Sequence, residues 1–330
     1  MEFDHALAFW GEHLVKLAIW VVLALSLNLI NGCCGLFSLG HQGFWAAGAY
    51  TAALVMKFFP HHAGANWTGF MLSFPAAFLV AAGFGLLVGV PCLRLRGDYL
   101  AIATLGFSEI LRNVIQNSET LGFSFGFKFP DDAVASGLSK NAKYYLFLAL
   151  AWSAVALVAI VLRNLMRSPH GRAILAVRDD ERAAELLGVN LTFYKVFVFV
   201  LGAGMAGLAG ALFANYTAFV TVKDFDFNQG VLMVVMVVLG GMGNMLGTFI
   251  AATVLYFIPV LLALWLPELQ VPVFYDPTQN GVVYCDIKSL WQVFYALLLI
   301  VAVLVRPQGM MHGLHLWGRK KSAPQLIGKV

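Results

Sequence analysis

A densely charged stretch, Arg163 to Lys195, interrupts a chain that is otherwise apolar. It holds six cations (Arg163, Arg167, Arg172, Arg178, Arg182 and Lys195) and four acids (Asp179, Asp180, Glu181 and Glu185). Apolar runs long enough to cross a bilayer flank it on both sides. A charge at the centre of a membrane helix costs about 2.5–3.5 kcal/mol on insertion scales, so this stretch belongs at a membrane surface. Of the 330 residues, 60% are hydrophobic and only 12% charged; a soluble domain carries about 25% charged residues. The fold class expected is therefore all-α and polytopic, a single transmembrane domain over residues 1–330.

The charged stretch carries its own structural signals. Ser168-Pro169 offers a helix N-cap with proline at the first helical position. Asp179, Asp180 and Glu181 place negative charge at the start of a second short helix, where the macrodipole favours it. Ala183, Leu186 and Leu187 form a small apolar face, and Gly188 is placed to stop the helix. The expected product is a helix–turn–helix knob that presents Ala183, Ala184 and Leu187 unless a partner covers them. The plainer alternative is a solvated connector between two spans.

Spans are expected at about 14–31, 41–59, 70–91, 98–116, 144–162, 195–219, 228–244, 247–266 and 290–305, nine in all with a range of eight to ten. Short members of this set fit tilted, broken or re-entrant helices. Orientation follows from basic residues. With 163–195 on the cytoplasmic side, thirteen Lys and Arg fall in inner segments and five in outer loops. Arg306, Arg319, Lys320, Lys321 and Lys329 then mark 306–330 as a cytoplasmic tail. Nine spans put the N-terminus outside. The net charge of +4 is explained by this asymmetry, so no nucleic-acid partner is inferred.

Other signals narrow the function. Cys33, Cys34, Cys92 and Cys285 show no metal spacing and read as packing thiols. No His/Asp/Glu cluster stands at metal or protease spacing, so neither a metal site nor a catalytic residue is expected. The start of the chain lacks a basic n-region and a small-residue cleavage site. Gly202-Ala203-Gly204-Met205-Ala206-Gly207 fits a dinucleotide fingerprint, with Asp224 or Asp226 about 20 residues on. No soluble strand precedes it, however, and Ala203, Ala206, Gly207 and Gly210 read better as a small-residue helix-packing face.

Two polar sets mark a possible translocation path. His41 and Gln42 sit at the mouth of the second span; on local features His41 is a satisfied interfacial histidine before it is a ligand. Glu109, Arg112, Asn113 and Gln116 recur at i, i+3, i+4 and i+7 and share one helical face. A polar stripe in a span faces the bundle interior or water. The alternative is a Glu109–Arg112 pair near the outer interface that serves packing alone.

Six stretches, in order over about residues 15–312, resemble one family. They are Gly35–Thr51 with Leu39-Gly40-His41, Arg94–Gly106, Gly171–Gly188, Ala206-Gly207-Leu208-Ala209-Gly210, Leu239–Asn244 and Arg306-Pro307-Gln308-Gly309. Within the third, Arg182-Ala183-Ala184-Glu185-Leu186-Leu187-Gly188 is similar to the cytoplasmic coupling loop of bacterial ABC importer permeases, with Arg182 standing where a glutamate is usual. Gly171-Arg172-Ala173 and Ala176–Glu181 resemble more narrowly the LivM-type permeases of branched-chain amino-acid transporters. A Thr-Gly-Gly turn usual in the family is replaced here by Thr120-Leu121-Gly122.

The resemblance implies an inner-membrane importer subunit that is not itself an enzyme. Its implied partners are a homologous permease, two ATPase subunits that bind ATP and Mg, and a periplasmic binding protein; lipid surrounds it and the chain itself holds no cofactor. It implies a coupling loop at 163–195 that uses Gly171, Arg172, Arg178, Arg182, Ala183, Ala184, Glu185, Leu187 and Gly188. Branched-chain or related amino acids are the implied substrate, with urea, amides or small aromatic acids as alternatives. A secondary transporter is the remaining competitor, and Glu109 and Arg112 are its best candidate residues.

Overall fold

The structure, a computed structural model, describes residues 2–58, 67–92, 98–122, 125–128, 140–265, 270–276, 281–286 and 297. The chain opens with α1 (Glu2–Leu27), which runs directly into a π-helical turn at Asn28–Cys33. Then come α2 (His41–Phe58), α3 (Trp67–Cys92), α4 (Asp98–Gln116) and α5 (Lys140–Arg167). Two short helices follow, α6 (Pro169–Asp179) and α7 (Glu181–Leu186). The last helices described are α8 (Leu191–Thr217), α9 (Phe227–Gly240) and α10 (Met245–Trp265).

Eight of the nine expected spans thus coincide with helices among the described residues. The span expected at 290–305, apart from Leu297, and the tail at 306–330 lie outside them, as do Arg94 and Arg96. Among the described residues, four apolar helical segments are long enough to cross a membrane: Phe9–Cys33, Trp67–Pro91, Ala142–Arg167 and Leu191–Thr217. The 14 residues of α9 rise only about 21 Å, short of a hydrocarbon core of about 30 Å. Pro75, Pro91 and Pro259 lie within helices, as membrane bundles tolerate.

The centre of the bundle is built from small residues. Helices α2, α3 and α8 pack against one another. A Cβ on Gly48 of α2 would lie 2.4 Å from the Cα of Gly207 in α8, so these two backbones meet only because neither position has a side chain. Ala203, Ala206 and Ala209 of α8 are fully buried in the same contact. The dinucleotide-like string is therefore a helix-packing surface. Around it, α1 packs on α5, α8 and α10, α9 pairs with α10, and α4 leans on α2.

Among the described residues, two short strand pairs accompany the helices. β1 (Phe127–Lys128) and β2 (Phe219–Val220) pair antiparallel, tying the segment after α4 to the end of α8. β3 (Gln270–Asp276) and β4 (Gly281–Asp286) form an antiparallel hairpin. Its sequence signal lies in Val271, Val273, Val282 and Val283, which are β-branched residues close to a short break.

The helices alternate so that chain ends gather at two poles. The π-helical end of α1, the α9–α10 turn and the start of α8 lie beside α6 and α7. At the other pole stand the ends of α4 and α8 and the start of α9. Lys57, near the end of α2, also lies there, with its ammonium 4.8 Å from the Phe127 ring centroid.

Candidate functional site

Helices α6 and α7 form the knob foreseen in the charged stretch. Ser168 caps α6, its Oγ accepting the Gly171 N–H at 3.3 Å, with Pro169 at the first helical position. Asp180 caps α7: Oδ1 accepts the N–H groups of Arg182 at 2.8 Å and Ala183 at 3.1 Å. Asp179 ends α6, so Asp180 and Glu181 are the acids at the start of α7. Gly188 follows α7 with φ +82°, a left-handed geometry that strains any residue with a Cβ.

Among the contacts that fasten the knob to the bundle are an arginine, an ion pair, a small apolar patch and His170 Nδ1 at 3.3 Å from the Tyr194 hydroxyl of α8. Ile174 and Val177 of α6 are buried, and Gly171 is buried against the end of α5. Arg178 Nη1 donates to the Gly32 carbonyl at 2.8 Å, at the π-helical end of α1. Asn28 of the same turn accepts the Gly243 N–H at 2.8 Å, which brings in the α9–α10 turn. Lys195 Nζ, on a side chain only 8% exposed, donates to Glu181 Oε1 at 2.6 Å. A buried ammonium requires such a partner, so α7 is held to the start of α8.

One expectation is corrected here. Ala184 is only 2% exposed and faces the bundle. On a helix of six residues, the position opposite the solvent face must fill the gap beneath it. The exposed face consists of Arg182, Ala183, Glu185, Leu186, Leu187 and Gly188, with Arg172 exposed on α6. Leu186 and Leu187 are 89% and 81% exposed, the highest apolar exposure on the knob.

The polar stripe is only partly interior. Glu109 and Arg112 are half-buried, while Asn113 is exposed and donates back to the Glu109 carbonyl at 2.9 Å. Arg112 Nη1 stands 3.4 Å from Glu109 Oε2 but only 2.9 Å from Asp226 Oδ1 at the start of α9. His41 and Gln42 are buried at the first turn of α2. His41 Nε2 lies 2.8 Å from Ser26 Oγ, and Gln42 Nε2 donates to Ser108 Oγ at 3.0 Å. These contacts join α2 to α1 and α4.

Comparison with known proteins places this arrangement. The family described as the permease component of the branched-chain amino acid transport system matches residues 11–303. The chain belongs to that family. It is 39% identical over 260 residues, 72% of its length, to the high-affinity branched-chain amino acid transport system permease protein LivM of Salmonella typhimurium. LivM of Escherichia coli K12 matches with the same identity and coverage. The matched region spans 60% of the length of each of these two relatives. LivH of Salmonella typhimurium is 25% identical over 88% of this chain and 91% of its own length. No solved structure matches the chain.

Membership of the permease family agrees with a multi-pass membrane protein whose apolar helices surround a small-residue core. Three tertiary contacts escaped sequence reasoning: Arg178 with Gly32, Glu181 with Lys195, and Arg112 with Asp226. Only Lys195 gave a hint, as a lysine at the edge of an apolar run that needs an acid nearby.

Proposed function

We propose that this chain is the membrane-spanning permease subunit of an ATP-driven importer of branched-chain or related amino acids. The observation that carries this reading is the knob: Leu186 and Leu187 exposed beside Gly188, on a helix pair held to the end of α1 through Arg178 and to the start of α8 through Glu181. Burying each leucine in a partner's groove contributes about 1.5–3 kcal/mol. The pinned base turns that docking energy into a handle on the spans.

On this reading two ATPase subunits, which bind ATP and Mg, dock on the knobs of this chain and of a homologous permease. The similarity to both LivM and LivH supports a paired permease. A periplasmic binding protein delivers substrate to the opposite pole. Residues 1–330 act as one transmembrane domain in the bacterial inner membrane, with nine spans, the knob at 163–195 in the cytoplasm and a cytoplasmic tail at 306–330. Gly171, Arg172, Arg178, Arg182, Ala183, Glu185, Leu187 and Gly188 form or frame the coupling surface, and Ala184 supports it from beneath. Glu109, Arg112 and Asn113 border the path, with His41 and Gln42 behind it. This chain hydrolyses no ATP; closure of the ATPases favours one of two bundle states.

A strain lacking its own branched-chain amino-acid uptake tests this directly. Supplied with this chain and its partner subunits, it should gain ATP-dependent uptake of L-leucine, L-isoleucine and L-valine. Uptake that persists after ATP depletion, or none at all, overturns the proposal.

A further inference from the structure

At the pole away from the knob lies a cavity of about 220 Å³ between α1, α2, α8 and the connection to α9. It is far larger than a single water needs and smaller than the roughly 300 Å³ and more of pockets for drug-sized ligands. Trp20, Trp45 and Phe213 supply aromatic walls. Trp45 is held edge-on to Phe213 and Phe225, with centroids 5.2 and 4.6 Å away, so this wall is rigid.

Lys16, Lys223, Asp224 and Gln229 are the polar groups of the lining. Lys16 is paired with Glu12 at 2.5 Å. Lys223 has no acceptor among the described residues, so its ammonium is the cation left for a ligand. Asp224 Oδ2 accepts from the N–H and Oγ1 of Thr221, each at 2.8 Å. Those bonds fix the carboxylate, and Oδ1 accepts none among the described residues. The indole N–H of Trp45, a residue 4% exposed, has no protein acceptor there either.

We infer that this cavity is a way-station for a zwitterionic amino acid with an apolar side chain. The ligand carboxylate accepts from Lys223 Nζ and Trp45 Nε1, its ammonium donates to Asp224, and its side chain lies against Trp20 and Phe213. Opposite charges on adjacent residues beside an aromatic wall match the two charged ends and apolar branch of one such molecule. Urea or an amide would leave both charges uncompensated. The inference rests on the transport reading above and adds where in this chain the substrate pauses.

Binding of radiolabelled L-leucine to the purified transporter, without the binding protein, tests it. Wild-type protein should bind leucine, and Lys223→Met and Asp224→Asn should each weaken binding about tenfold, the loss of one charge-assisted hydrogen bond. Isoamylamine, which lacks the carboxylate, should compete with an affinity that Lys223→Met leaves unchanged. 4-Methylpentanoate, which lacks the ammonium, should be indifferent to Asp224→Asn. Absence of leucine binding, or equal binding in all three proteins, overturns the site. So does co-purified phosphatidylethanolamine that Lys223→Met releases while leucine fails to bind, since the cavity then holds a lipid headgroup. Uptake by cells carrying the wild-type chain separates the two readings. Normal uptake with no leucine site removes only the cavity assignment; a leucine site without ATP-dependent uptake removes the transport reading instead.

Discussion

Arg178 and Gly32 join parts of the chain 146 residues apart: Arg178 Nη1 donates to the Gly32 carbonyl oxygen at 2.8 Å. The contact lies where α1 changes from α-helix to a π-helical turn, a local irregularity common at functional positions. It gives the knob a direct mechanical link to the first span.

Arg178→Ala leaves the buried Gly32 carbonyl without its donor, at a cost of about 1–3 kcal/mol. The permease should still insert, but ATP-dependent uptake should fall at least tenfold. Arg178→Lys, which keeps the charge without the guanidinium fork, should recover part of it. Uptake in membrane vesicles containing matched amounts of permease checks the order Arg, Lys, Ala.

Glu181 and Lys195 form the second fastening, and Cys34 reports on it. Burial pushes the Cys34 thiol up to about 12, with nearby Lys195 drawing it down and Cys33 and Glu181 raising it. The reactive form is the thiolate, so a raised pKa keeps Cys34 protonated and inert from pH 7 to 9. Glu181→Gln should loosen α7 and open the site to water. Cys34 should then react with N-ethylmaleimide at a rate that climbs with pH toward the ordinary thiol range of about 8.5. Mass spectrometry of the Cys34 peptide measures both rates.

The helical architecture was legible because apolar runs and their polar breaks map directly onto spans and turns. The 98–116 span matches α4 end to end, and Ser168, Asp180 and Gly188 act as caps because their chemistry is local. Contacts set by tertiary packing were not legible. Arg112 finds Asp226 across 114 residues, and no periodicity within α4 points there. Ala184 was misjudged for a related reason. A six-residue helix has too few turns to declare which face is buried, and the underside is chosen by what α6 and α8 leave open.

The Arg112 cluster separates a path from a packing pair. Its side chains are one-third or more exposed, so each ion pair contributes only about 0–1 kcal/mol to stability. Asp226→Asn removes the shorter contact and Glu109→Gln the longer one. Neither should lower the melting temperature by more than a few degrees. If the cluster borders the path, Glu109→Gln should slow uptake several-fold while assembly persists; unchanged uptake assigns it to packing.

Orientation can be read with two cysteines in a background lacking native ones. Arg172 is exposed on the knob, and Phe125 is exposed beside β1 at the other pole. Phe125→Cys should react with an impermeant maleimide added to intact spheroplasts. Arg172→Cys should react only after permeabilisation. The reverse pattern turns the chain over and removes the cytoplasmic knob.

The knob surface itself carries the sharpest test of coupling. Leu187 is exposed and Ala184 is buried directly beneath the same short helix, so the two positions separate docking from folding. A carboxylate at 187 stays in water in the isolated permease but enters a desolvated interface when a partner docks, a loss of roughly 2–5 kcal/mol. Leu187→Glu should therefore insert and purify normally, keep Cys34 unreactive, and lose the ATPase subunit together with uptake. Ala184→Glu forces a charge into the bundle and should unseat α7, exposing Cys34 as well as abolishing uptake. Gly188→Val should resemble Leu187→Glu more weakly, because its strain acts on the exit from α7 at φ +82° and its Cβ meets open space. Co-purification of the ATPase with normal uptake in both Leu187→Glu and Gly188→Val would remove the docking role from this surface.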